Sequence, residues 1–160
     1  MTIEQAIYFK VLICNGYPEE LLKYIDTALE TQDPLSDIVL EMSFAANDEE
    51  KLISLLNERI NSVKPEEIDF DGTLFDMLLA FFKRKYREEN MPIDELVYLM
   101  YRFSLVYEPW DKWWNAATSR LWRVMYYMQD YYEFGDRNEF LKMLDDFLDN
   151  KIPPESPFLR

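Results

Sequence analysis

The chain has 160 residues, enough for one domain with a substantial core, and its 49% hydrophobic and 30% charged content is globular, with no apolar run long enough to span a bilayer. Seventeen lysines and arginines against 31 aspartates and glutamates leave a net charge of −14, which repels nucleic-acid phosphates and anionic headgroups and attracts basic proteins. Histidine is absent, which excludes Ser-His and Cys-His nucleophile pairs, histidine zinc sites and histidine general bases.

Apolar positions recur at helical spacing along nearly the whole chain. Thr2 and Gln5 form a capping box for a first helix that stops at Asn15 and Gly16. Pro18 opens a second, with Glu19 and Glu20 where the dipole favours acid and Leu21, Leu22, Tyr24, Ile25, Ala28 and Leu29 on one face. In "DPLSD", Asp33 is placed as the cap of a third helix and Pro34 at its first position, burying Leu35, Ile38, Val39 and Met42. Asn47 or Asp48 caps a fourth, whose stripe is Leu52, Ile53, Leu55, Leu56 and Ile60. After an acidic turn, Asp71 caps a helix starting near Thr73, which buries Leu74, Phe75, Met77, Leu78, Phe81 and Phe82 and ends among Lys83, Arg84, Lys85 and Arg87.

Pro92 opens the next helix, with Ile93, Leu96, Val97, Met100, Ser104 and Tyr107 in line. A long aromatic helix follows from about Trp110 to Phe134 and ends at Gly135. The last runs from a cap at Asp136, boxed with Glu139, to about Asp149 and buries Phe140, Leu141, Leu144, Phe147 and Leu148; "PPESP" then stops regular structure. No stretch shows sustained alternation with β-branched residues. The predicted class is all-α, with about eight helices in antiparallel hairpins forming a bundle or a short right-handed array. One helical domain is expected over 1–152, followed by an irregular C-terminal tail over 153–160.

Charge is uneven: residues 1–80 hold 17 acids and 5 bases, residues 81–160 hold 14 and 12. Cys14, the single cysteine, leaves no intramolecular disulfide, fits a reducing compartment, and is expected to pack within its helix. The opening "MTIEQAIYFK" carries acid where a signal peptide needs base, so a cytoplasmic location is expected.

The stretch "IDFDGTLFD" at 68–76 resembles the first motif of the haloacid dehalogenase superfamily. That resemblance implies a phosphohydrolase with Asp69 as nucleophile, Asp71 as acid and base, and a magnesium ion between them. Such a nucleophile must project from the carboxyl end of a buried parallel strand. "NSVKPEEI", which precedes Asp69, cannot form a strand buried on both faces, and four predicted helices stand before it. The residues therefore read as an acidic turn, and neither a metal nor another cofactor is expected. Glu66, Glu67, Asp69, Asp71 and Asp76 put five acids within eleven residues, a landing site for a basic partner.

In the aromatic helix, Trp110, Trp113, Trp114, Ala117, Leu121, Val124, Met125, Met128, Tyr131 and Tyr132 share a broad core face. Trp122, Tyr126, Tyr127 and Phe134 fall outside it; either the helix packs on two sides or Trp122 and Tyr126 face a partner. In size, acidity and helical make-up the chain resembles the small helical immunity proteins of bacterial toxin systems. That resemblance implies a non-enzymatic inhibitor whose acidic surface neutralises a basic toxin domain. Glu19, Glu20, Glu49 and Glu50 would join the acidic turn in steering the toxin, with exposed aromatics as anchors. A helical adaptor or scaffold subunit, and a magnesium-dependent phosphohydrolase using Asp69 and Asp71, are the alternatives. No direct nucleic-acid or membrane partner is expected, and the oligomeric state is left open.

Overall fold

The computed structural model describes residues 1–106 and 120–151, without the side chains of 120 and 121. Expectations for Tyr107, Trp110, Trp113, Trp114, Ala117, the Leu121 side chain and the tail over 153–160 lie outside the described residues. Within them the protein is all-α, with eight α-helices and no strand. The chain gathers into two compact units, Met1–Ile68 and Asp69–Arg160.

The first unit holds α1 (Ile3–Ile13), α2 (Glu19–Thr31), α3 (Asp37–Phe44) and α4 (Glu49–Asn61). Thr2 closes the predicted capping box with Gln5, accepting from its backbone N–H at 3.1 Å and donating its own to Oε1 at 2.9 Å. Seven of the eleven residues of α1 are buried, among them Ile7, Tyr8, Phe9 and Leu12, so this helix is covered on more than one side. It packs against α4 through Leu52, Leu55, Leu56 and Ile60 among the buried residues of that helix. The ring of Phe9 meets Tyr24 of α2 at 5.2 Å. Gly16 ends α1 at φ +85°, a left-handed conformation that glycine adopts without a side-chain penalty.

The third helix starts three residues later than the sequence predicted. Ser36, extended at φ −70° and ψ 145°, is its N-cap, and the first turn closes from Leu40 N–H to the Ser36 carbonyl at 3.1 Å. The Ser36 side chain makes no capping hydrogen bond to a described residue, so this start is held by the backbone alone and not by the side-chain cap expected of Asp33. Asp48 caps α4 by accepting from Lys51 N–H at 3.0 Å.

The second unit holds α5 (Phe75–Lys83), α6 (Ile93–Ser104), α7 (Arg120–Phe134) and α8 (Arg137–Leu148). A wide π turn over Phe70–Leu74 leads into α5, and another over Arg84–Glu88 leads out of it. The most extensive packing in this unit joins α6 to α7, and its interior is rich in phenylalanine. Phe82 and Phe103 lie 5.2 Å apart, and Phe81 and Phe103 5.6 Å apart. Arg87 clamps α8, with Nη1 2.8 Å from Asp149 Oδ1 and Nη2 3.3 Å from Asp145 Oδ1. Asp136 caps α8 by accepting from Asn138 and Glu139 N–H groups, both at 3.0 Å.

Candidate functional site

The acidic turn is built from two caps. Pro65–Glu67 form a single 3₁₀ turn in which the Glu67 carboxylate accepts from Lys64 N–H at 2.8 Å, while Glu66 stays in solvent. Asp69, and not Asp71, caps the following helix: its Oδ2 accepts from Thr73 N–H at 3.0 Å. The wide turn explains the shift by two residues. It closes from Leu74 N–H to the Asp69 carbonyl at 3.4 Å and so lays Thr73 over Asp69. Gly72, at φ −115° and ψ −105°, makes room for it, since a Cβ there would stand 2.2 Å from the same carboxylate oxygen.

Asp69 thus stands at the N-cap of a helical turn, and no strand precedes it among the described residues. No group of three or more aspartate, glutamate or cysteine side chains is arranged to hold a metal among the described residues. The turn also does not form one surface within either unit. Glu66 and Glu67 belong to the first, while Asp69, Asp71 and Asp76 belong to the second. Asp69, Asp71 and Asp76 are all exposed.

Of the four other predicted acids, Glu19, Glu49 and Glu50 are exposed in the first turns of α2 and α4. Glu20 is half-buried and accepts a hydrogen bond from the Tyr8 hydroxyl, so its carboxylate is committed to joining α1 and α2.

Trp122, which the sequence assigns either to a second packing face or to a partner, is 3% exposed and therefore not a partner-facing side chain. Its indole N–H donates to the Ser104 carbonyl at 3.1 Å, and its ring stands edge-on to Phe75 at 5.9 Å and Phe70 at 6.3 Å. Ser104 is the last residue of α6, so the indole satisfies one of the carbonyls that a helix end leaves unpaired. The helix packs on two sides, as the wheel alone allowed. Tyr126 is half-buried between Tyr101 at 5.5 Å and Tyr127 at 5.0 Å, and Tyr127 and Phe134 are exposed.

Cys14 is also placed differently from expectation: it is the C-cap of α1 and exposed. Partial withdrawal of its thiol from water pushes its pKa up, Lys10 one turn earlier opposes this, and Glu49 adds to it. The thiol is therefore poorly ionised at neutral pH, the opposite of an activated nucleophile. Burial lowers the pKa of Lys10 itself.

The structure also singles out a stretch of which only Glu49 and Glu50 were nominated from the sequence. Between Lys23 and Lys51 lie eight acids and no base: Asp26, Glu30, Asp33, Asp37, Glu41, Asp48, Glu49 and Glu50. All eight are exposed, and none is in an ion pair with a described residue. On α3, Val39 and Met42 are buried, whereas Leu40 and Phe44 are 43% and 84% exposed on the opposite face beside Asp37 and Glu41. The signal was present in the sequence as an apolar pair four residues apart that the core stripe of α3 does not use. Compared with protein-family models, curated proteins and solved structures, the chain gives no match.

Proposed function

We propose that the protein is a non-enzymatic binding module for a basic protein, of the inhibitor or immunity type that neutralises its partner. The observation that carries this reading is the base-free run from Asp26 to Glu50, eight exposed carboxylates without an ion pair to any described residue. Like charges held together on a folded surface destabilise the compact state, and a cationic partner relieves that repulsion while gaining a steered, rapid encounter. The second unit offers a contrast in the same chain. There Arg87 is joined to Asp145 and Asp149, and Arg84 and Lys85 to Glu89, so part of its charge is matched internally.

The test is affinity capture from a lysate of the native cell at low and high salt. The wild type is run beside a variant carrying Asp26→Asn, Glu30→Gln, Asp37→Asn and Glu41→Gln. A basic protein is expected on the wild type at low salt, lost at high salt and absent from the variant. Identical captured proteins on both baits, unaffected by salt, would refute the reading.

A further inference from the structure

We infer that the outer face of α3 is the docking surface, and that it takes a cationic amphipathic helix of the partner protein. The inference rests on the reading of a basic partner and adds where and how that partner is held. A helix of eight residues has two surfaces, and α3 uses only one for packing: Val39 and Met42 point inward, with Ile38 and Ser43 at the margins. Leu40 and Phe44, one turn apart, stand on the other. Phe44 is the most exposed large apolar residue among those described, and Phe134 at 83% is the only one close to it.

Three observations set the chemistry of the occupant. The apolar pair shares its face with Asp37 and Glu41, at helix positions that alternate with it, so an incoming surface meets hydrocarbon and carboxylate side by side. Leu29 adds a third exposed apolar side chain, at 46%, on α2, which packs against α3. It sits on the flank of α2 away from Glu20 and Tyr24, the residues that meet α1. Asp26, Glu30 and Asp33, which flank Leu29 in the chain, have no lysine or arginine among them.

A helix with leucine-like residues at i and i+4 and lysines or arginines on both flanks complements this pattern. The face is about 12 Å long at 1.5 Å per residue, the span of two turns of such a helix. A second copy of the chain is disfavoured, because α3 against α3 would set Asp37 and Glu41 of one copy beside those of the other. An anionic membrane surface meets the same repulsion.

The experiment uses the full chain and a synthetic helical peptide of about 18 residues, five turns, with leucines on one face and lysines on its flanks. A scrambled peptide of the same composition has no apolar face. Binding of each is followed by titration calorimetry at low and at physiological ionic strength. The variants are Leu40→Ser with Phe44→Ser, and Asp37→Asn with Glu41→Gln; all four side chains are exposed, and helicity is verified by circular dichroism.

The amphipathic peptide is expected to bind the wild type about ten-fold tighter than the scrambled one. The serine variant is expected to lose that advantage while still binding the scrambled peptide as before, and the amide variant to weaken both. Equal binding of the two peptides, unchanged in the serine variant, would overturn the α3 surface and leave the basic-partner reading standing. Binding of neither peptide at low salt would overturn both. A dimer of the free protein that the serine variant abolishes would identify a second copy as the occupant and overturn the inference.

Discussion

Replacing Trp122 with alanine tests whether this residue belongs to the core or to a partner surface. At 3% exposure the side chain is fully committed to the second unit. Its removal leaves a cavity between Phe70 and Phe75 and deprives the Ser104 carbonyl, on a residue 8% exposed, of its donor. Truncating a buried aromatic costs about 3–5 kcal/mol, and leaving a buried acceptor unpaired about 1–3 kcal/mol, which overlaps with the first figure because both describe the same site. Trp122→Phe separates them. It keeps most of the volume and the edge-on contacts but removes the N–H, so it should cost about 1–3 kcal/mol, clearly less than alanine. Urea unfolding followed by far-ultraviolet circular dichroism measures both, with an unchanged slope identifying the shift as one of stability. A loss below about 1 kcal/mol for the alanine variant would refute the burial argument, since that is the range of surface substitutions.

Asp69→Ala should destabilise the protein by about 1 kcal/mol, whereas Asp69→Asn, which keeps an acceptor for Thr73 N–H, should recover most of it. Equal losses from the two substitutions would mean that charge, and not the cap, is what the turn requires. Because burial and Glu49 hold the Cys14 thiol above its ordinary pKa, its alkylation by iodoacetamide at neutral pH should be slower than that of a free cysteine. The rate should climb to its plateau only at a pH above the usual thiol range, and Glu49→Gln should move that profile downward. A profile at or below the ordinary thiol value would contradict this.

The elements were legible in the sequence because they depend on neighbours in the chain. Thr2 and Gln5 lie three residues apart, Gly16 follows the last apolar residue of α1, and Asp48 and Asp136 precede their helices; each feature is satisfied within a few residues. The stripes of α4, α5 and α8 likewise follow from a period of 3.6 residues. The start of α3 differs because it begins at Ser36 without a side-chain cap bond to a described residue, and the cap of α5 differs because "DFDGT" contains two competent caps. The choice between them rests on a π turn that Gly72 permits.

Composition and periodicity alone therefore determined that this protein is helical, acidic and without imidazole chemistry, since these properties are sums or local repeats. Which side of each helix faces inward where both sides are apolar was a tertiary decision. Trp122 was drawn into the interior because its N–H could reach the unpaired end of α6, eighteen residues back in the chain. Phe44 was left in water because Val39 and Met42 already filled the inner face of a helix only eight residues long. A helical wheel records where a side chain points, but the end of a neighbouring helix and the space beside it exist only once the chain has packed.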